Sequence, residues 1–323
     1  MTENLTKIFI VDCYSILFRT YYTAENMKTS TEIPIGGVFG FIRTILNLIE
    51  KHKVENIIIT LDSGKKTFRS EIYTQYKANR VETPTNLVPQ FAILQEFLDC
   101  CGIANIRKDG FEADDIIASV ITKMTEEFTE KEINHNFAVI TSDKDLMQLV
   151  CESVECIDIF KDKIFKTYDV IEKFGIEPRY IVDYLSLLGD VSDNIPGIKG
   201  CGAKGAVKLI KEFGTLESII ENVDKIANGK LKDAIKNYSS NGILSKKLAS
   251  LDHTVPLPEK IDFSVSNIKF IEIKQFMEKY EMKSLMYLPE RVEKKIQNNF
   301  QKEEITIDVV KAKRTQHTQF QLI

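Results

Sequence analysis

Lys7-Ile-Phe-Ile-Val-Asp12 is a short, almost wholly apolar run that ends in an aspartate. Asn56-Ile-Ile-Ile-Thr-Leu-Asp62 and Phe137-Ala-Val-Ile-Thr-Ser-Asp143 repeat its form. Continuous runs rich in β-branched residues predict strands buried on both faces. Helical spacing lies between them, as at Val38 to Ile49, and Ala104 to Arg107 predicts a further short strand. Strand–helix–strand order predicts an α/β fold with a mostly parallel central sheet flanked by helices. Ligands of such sheets bind beyond the carboxyl ends of the strands, so Asp12, Asp62 and Asp143 point to one edge.

Phe111-Glu-Ala-Asp-Asp115 feeds the same edge. Gly110 precedes it, and Ile116, Ile117, Val120, Ile121 and Met124 follow at helical spacing. This is a helix whose first turn carries Glu112, Asp114 and Asp115. One or two acids there are ordinary, because free N–H groups and the macrodipole attract them. Three exceed what capping needs. Glu112 and Asp115 share a face and Asp114 points away, so they converge only around the rim of the helix end.

Two more acidic doublets follow, Asp143 with Asp145 in S-D-K-D-L, and Asp190 with Asp193 in G-D-V-S-D-N-I-P-G. Taken singly, each of these residues is a cap or a turn. Together, as many as nine carboxylates face one crevice: Asp12, Asp62, Glu112, Asp114, Asp115, Asp143, Asp145, Asp190 and Asp193. Two like charges ~4 Å apart repel by about 1–4 kcal/mol at surface-like dielectric constants. Such a cluster raises its own pKa values or takes up cations. Oxygen ligands without His or Cys suit Mg²⁺ first and Mn²⁺ second. So many acids suit two ions, the apparatus of phosphodiester hydrolysis.

Basic residues form two local groups against a net charge of −4. Gly64 to Arg80 carries Lys65, Lys66, Arg69, Lys77 and Arg80, interleaved with Phe68, Tyr73 and Tyr76. Mixed aromatic and basic residues suit single-stranded nucleic acid, while a solvated helix face is the ordinary alternative. Thr83 to Pro89 holds two prolines and breaks the pattern. Further on, Gly197-Ile-Lys-Gly-Cys-Gly-Ala-Lys-Gly205 predicts a glycine-rich hairpin between helices, with Lys199, Lys204, Lys208 and Lys211 around it. Such a turn exposes N–H groups that can cradle phosphate. Lys208 to Ile220 reads as helix, glycine stop and new helix.

The composition is that of a globular protein, 43% hydrophobic and 28% charged. The six cysteines form no CxxC and no pattern with the four histidines, which argues against zinc and for reduced thiols. No signal peptide and no membrane-length apolar run is expected.

These pieces, in this order, resemble the 5′ nuclease family, the nuclease domain of bacterial DNA polymerase I and the flap endonucleases. The resemblance covers roughly Lys7 to Pro289. It rests on Ile10–Arg19, Phe68–Arg80, Gly110–Asp115, Thr141–Asp145 and Gly189–Lys204, with Phe213–Ser218 and Leu244–Ala249 in support. It implies a Mg²⁺-dependent enzyme of PIN-like fold with a helical arch. Such an enzyme digests DNA from 5′ ends and cuts at the base of 5′ flaps in replication and repair. Asp12, Asp62, Glu112, Asp114 and Asp115 match its first metal cluster, and Asp143, Asp145, Asp190 and Asp193 its second. Arg19, Lys77 and Arg80 match basic groups acting on the scissile phosphate and the 5′ strand, with Arg69 and Tyr76 as DNA contacts. Lys199, Gly200, Gly202 and Lys204 match a helix-hairpin-helix that grips duplex DNA and holds K⁺.

The expected organisation is a nuclease core at 1–185 with an arch at about 64–100, and a helical DNA-binding region at 186–290. The hairpin motif falls at about 189–213, and 291–323 is a tail. The tail contains a candidate strand at Ile305 to Val310. It ends in Gln319–Ile323, which resembles a sliding-clamp-binding peptide; a frayed terminus is the alternative. A monomer in the bacterial cytoplasm, associated with the nucleoid, is expected. Three departures stand out: Cys13 where the family usually has glycine, Val81-Glu82 after the arch motif, and Gly205 where threonine or serine is common. None removes a candidate ligand. The rival readings are an inactive DNA-junction binder and a PIN-type ribonuclease. A haloacid-dehalogenase-like phosphatase is disfavoured, because Cys13-Tyr14 follows Asp12.

Overall fold

The computed structural model describes residues 5–299. The candidate strand at Ile305–Val310 and the terminal Gln319–Ile323 peptide lie outside the described residues. Two compact units interleave in sequence. Among the described residues, one takes the chain up to Ile16, Ile58–Pro84 and Asn105–Ile261; the other takes Leu17–Ile57, Thr85–Ala104 and residues 262–299.

The sheet has six strands among the described residues: the three apolar runs and Ala104–Arg107 form four of them, and the other two were not expected from the sequence. Its strands are β1 (Thr6–Asp12), β2 (Asn56–Leu61), β3 (Ala104–Arg107), β4 (His135–Ile140), β5 (Val154–Asp158) and β6 (Lys163–Phe165), in the order β3-β2-β1-β4-β5-β6. β1 pairs with β4 and β4 with β5 in parallel; β6 is an antiparallel edge strand. Ile8, Ile10, Ile58, Ile59, Val139 and Ile140 are fully buried, as strands covered on both faces require. The register sets Val11 beside Ile140. Asp12 and Thr141 therefore leave adjacent strands side by side, and the Thr141 hydroxyl donates to Asp12 Oδ2 at 2.8 Å.

α1 (Cys13–Thr23) leaves β1 directly, and α2 (Gly36–His52) precedes β2. α3 (Phe68–Ile72) and α4 (Val88–Cys100) lie between β2 and β3, and α5 (Ala113–Glu130) between β3 and β4. The expected arch is helical only in α3 and α4. Pro89 stands in the first turn of α4. A missing N–H costs nothing there, so Pro89 starts a helix instead of breaking one. Asp145–Leu149 is a five-residue 3-10 helix. In the second unit, Gln90 Oε1 accepts from the Gly37 and Val38 N–H groups at 2.8 and 3.2 Å and caps α2. Among the described residues no helix is long and apolar enough to cross a membrane.

After β6 the chain is helical: α6 (Thr167–Phe174), α7 (Ile181–Leu188), α8 (Ala203–Phe213), α9 (Leu216–Glu221), α10 (Lys230–Ala249) and α11 (Phe270–Lys279). Gly214 caps α8 and α9 follows at once, the predicted helix–glycine–helix order. The turn after α7 matters most for the acidic edge. Asp190 and Ile195 exchange backbone hydrogen bonds of 3.0 and 2.8 Å, closing a tight loop that carries Asp190 and Asp193. Gly189 (φ +79°) and Gly197 (φ +62°) form its neck. A Cβ on Gly189 would meet the Ile195 carbonyl oxygen at 2.6 Å, and one on Gly197 would collide with the Gly189 nitrogen. Gly197→Ala should therefore cost about 2–4 kcal/mol, left-handed strain plus overpacking. Urea unfolding measures this; a change under about 0.5 kcal/mol, the level of an ordinary surface substitution, would contradict the tight neck.

Candidate metal centre

All nine candidate carboxylates belong to the first unit. β1 ends on Asp12, and Asp62 follows β2. Asp62 Oδ1 accepts the Ala113 N–H at 2.9 Å, the first amide of α5. Asp143 follows β4 through Thr141 and Ser142, and its Oδ1 accepts the Asp145 N–H at 2.9 Å. Asp190 Oδ1 accepts from the Ser192 N–H and hydroxyl at 2.9 and 2.7 Å.

The three acids of F-E-A-D-D go three ways. Asp115 is fully buried and chelates Arg69: Nη1 to Oδ2 and Nη2 to Oδ1, both 2.7 Å. It also caps α5, since the Glu112 N–H donates to its Oδ2 at 3.2 Å and the Asp252 N–H to its Oδ1 at 2.9 Å. Glu112 takes Lys77 Nζ at 2.7 Å and the Tyr76 hydroxyl at 3.0 Å. Asp114 faces the other acids: burial, then the charges of Asp143 and Asp12, push its pKa well above the usual range.

The remaining carboxylates feel one another in the same way. Burial and then Asp62 push Asp12 up to about 7. Burial, then Asp143 and Asp190, push Asp145 up to about 8. Asp62 and Asp143 are also raised, chiefly by burial. Asp190 runs the other way: despite its burial, the Ser192 hydroxyl and Lys144 hold it below the usual range. Among the described residues no three of these acids are gathered around one point. Cations of the chain stand among them. Lys77 Nζ lies 2.7 Å from Glu112 and 3.7 Å from Asp193, Arg80 Nη2 is 2.5 Å from Asp193 Oδ1, and Lys144 Nζ is 3.0 Å from Asp190 Oδ2.

A divalent cation fits this donor set. Asp145 Oδ1 and Asp190 Oδ2 are buried without a hydrogen-bond partner, the latter holding only the off-axis contact with Lys144. Buried orphan acceptors are costly, and the raised carboxyl pKa values reflect burial first and neighbouring carboxylates second, both of which a bound cation would offset. The donors are all oxygen, the preference of hard ions. The Cys13 thiol beside Asp12 is buried, and burial followed by Asp12 and Asp62 keeps it protonated.

Comparison with known proteins decides the ancestry. Residues 7–175 match the 5′-3′ exonuclease N-terminal, resolvase-like domain and residues 176–275 the 5′-3′ exonuclease C-terminal SAM fold. The chain belongs to the 5′-3′ exonuclease family. It is 34% identical over 284 residues to a 5′-3′ exonuclease of Aquifex aeolicus, covering 87% of this chain and 94% of that one. It is 35% identical to DNA polymerase I of Borreliella burgdorferi over 87% of this chain, but spans only 31% of the polymerase. A bacteriophage T5 flap endonuclease, solved with DNA and metal ions, shares the fold at 20% identity. Its TM-score is 0.64, covering 90% of this chain and 99% of that chain.

Within this 5′-3′ exonuclease the basic residues differ from their sequence expectation. Arg69 is no surface DNA contact. It is 2% exposed, and its Nε and Nη2 also donate to the Leu248 and Ser250 carbonyls, both at 2.8 Å. Tyr76 is buried, and its hydroxyl is shared between Glu112 and Asp193, so it offers no open stacking face. Asp115 has both oxygens engaged by Arg69 and backbone amides. Arg19 is exposed on α1, in the second unit. Lys199, Gly200, Gly202 and Lys204 are exposed at the α7–α8 hairpin, where Gly202 precedes α8 without a side-chain cap. Lys144 and Thr141 were missed by sequence reasoning. Lys144 stands between the two aspartates of S-D-K-D-L, and its position in that doublet was the available signal.

Two measurements follow from this geometry. Arg69→Ala strands a buried carboxylate and should destabilise the fold by about 3–5 kcal/mol. A normally stable variant that merely binds DNA less well would restore the surface-contact reading. Asp12 and Asp145 hold protons in the folded state at pH values where the unfolded chain has lost them, so stability falls as pH rises from about 4 to 8. The lowered pKa of Asp190 acts only below that window. Thermal unfolding in EDTA should show this slope, and saturating Mg²⁺ should flatten it. A slope of the opposite sign in EDTA would contradict the raised carboxyls.

Proposed function

We propose that this 5′-3′ exonuclease is also a structure-specific 5′-flap endonuclease that hydrolyses DNA phosphodiesters with two Mg²⁺ ions, Mn²⁺ substituting. The observation that supports the reading is that Asp12, Asp62, Asp114, Asp143 and Asp145 lie near enough to feel one another's charge at one end of the first unit. Each carries a raised pKa, Asp145 Oδ1 is buried without a hydrogen-bond partner, and Asp190 Oδ2 beside them is met only by Lys144. Asp12, Asp62, Glu112 and Asp114 would hold one ion and Asp143, Asp145, Asp190 and Asp193 the other. Asp115 orients Arg69 and the start of α5 instead of ligating. Bound divalent ions supply a water of lowered pKa and neutralise the leaving oxygen.

The protein's own groups do the rest. Lys77 carries a positive charge that Glu112 and Asp193 strengthen against the cost of its burial. Offered to a phosphate instead, Lys77 and Arg80 neutralise charge developing on the non-bridging oxygens. Arg19, on α1, is a further candidate phosphate contact, as the family resemblance implies. Lys199 and Lys204, with the free amides at Gly200 and Gly202, grip the duplex backbone, and a K⁺ ion at this hairpin completes that contact. These are phosphate-type contacts, so selection rests on duplex shape and a free 5′ end at flaps and nicks, not on base identity.

The organisation that goes with this function is a core over 1–185 and a DNA-binding helical region over 186–290. The enzyme acts as a monomer in primer removal and repair in the bacterial cytoplasm, at the nucleoid. The Gln319–Ile323 terminus is a candidate clamp ligand. Asp143→Asn with Asp145→Asn should abolish cleavage of an end-labelled 5′-flap substrate in Mg²⁺ while retaining flap binding in a gel-shift assay. Cutting at the wild-type rate would sink the assignment.

A further inference from the structure

Two short turns meet over Glu112 and Asp193. One is Gln75–Arg80 and the other is the loop from Asp190 to Ile195. Asn79 Nδ2 donates to the Val191 carbonyl at 2.6 Å, and Asn194 Nδ2 donates back to the Gln75 carbonyl at 2.6 Å. Between these crossed amides the Lys77 N–H donates to the Asp193 carbonyl at 2.9 Å. Both turns hold a non-glycine residue in the left-handed region, Lys77 at φ +57° and Asn194 at φ +55°. Asparagine tolerates that conformation and lysine rarely adopts it, so something must hold Lys77 there. The crossed amides supply the restraint, and with it they aim Lys77 Nζ and Arg80 at Glu112 and Asp193.

We propose that Asn79 and Asn194 are positioning residues forming a clasp, which keeps Lys77 and Arg80 on the acidic cluster as stand-in cations. Divalent ions must displace these side chains before the acids can gather, and the displaced groups are then free to meet a phosphate. The clasp thereby opposes cation binding to the DNA-free enzyme and links cation arrival to release of the two basic groups. This rests on the reading of the cluster as a divalent-ion site. The two asparagines themselves touch neither the acidic side chains nor, by this assignment, the reacting phosphate.

The test uses the full chain without DNA. Asn79 is exposed, so Asn79→Ala leaves the core intact. Asn194→Gly keeps the left-handed turn and removes only the amide. Isothermal titration with Mg²⁺ should show affinity about three- to tenfold tighter in either variant, the scale of one net hydrogen bond. Amide exchange at Lys77 should quicken in the same variants, a change that a residue acting only on stability would not confine to this turn. Asn79→Gln, which restores a donor, should return affinity and exchange toward wild type. Wild-type Mg²⁺ affinity and Lys77 exchange in both Asn79→Ala and Asn194→Gly would overturn the clasp while leaving the metal centre standing. Failure of the wild type to bind Mg²⁺ at all would overturn both.

Discussion

Mutual repulsion among carboxylates is the constraint to which the rest of this structure answers. β1 and β4 run in the same direction and deliver Asp12 and Asp143 to one edge, and Asp62, after β2, lies close enough to raise Asp12. α5 and the Asp190–Asp193 loop add further acids from later in the chain. Two ionised carboxylates ~4 Å apart would cost about 4 kcal/mol at an effective dielectric constant near 20, so acids drawn together at this edge need compensation. The protein compensates in three ways: protons retained on Asp12 and Asp145, hydroxyl and amide donors to Asp12, Asp143 and Asp190, and the ammonium and guanidinium groups of Lys77, Arg80 and Lys144.

Arg69 and Asp115 play a different part from the groups they sit among. Their bidentate pair ties α3 to the first turn of α5, and the remaining guanidinium donors tie both to the end of α10. Such a buried pair adds little net stability but is costly to break. Its value is geometric: it fixes the helix start from which Glu112 and Asp114 diverge. The Gly189–Gly197 neck does the same for Asp190 and Asp193 through backbone crowding instead of charge. The acidic groups thus hang on two rigid mounts, while Lys77 and Arg80 hang on the turn at Gln75–Arg80 and Lys144 on the segment after β4.

Four of the six strands among the described residues were legible in the sequence: β1, β2 and β4 because buried parallel strands are continuous apolar runs, and Ala104–Arg107 as a short strand feeding the acidic helix. β5 and β6, Val154–Asp158 and Lys163–Phe165, were not, because short mixed runs such as V-E-C-I-D and K-I-F carry no such pattern. The acidic edge was legible because the topology alone brings strand ends together. Partner choice was not legible. Nothing in Phe68–Arg80 marks Arg69 as buried and Lys77 as half-buried, since both stand in the same basic-aromatic pattern and only packing against α5 separates them. Asp114 and Asp115 are adjacent in sequence, yet a 100° helical step sends one to the acids and the other to Arg69. Lys144 was overlooked because a lysine between two acids looks like ordinary local neutralisation, although it reaches Asp190, 46 positions further on.

The central claim is that this cluster, without Asp115, is a two-ion site. Anomalous diffraction from a crystal soaked in Mn²⁺ tests it most directly. Two peaks roughly 3.5–4 Å apart are predicted, one among Asp12, Asp62, Glu112 and Asp114 and one among Asp143, Asp145, Asp190 and Asp193, with Asp115 still bound to Arg69. No peak at these carboxylates, or a peak ligated directly by Asp115, would contradict it.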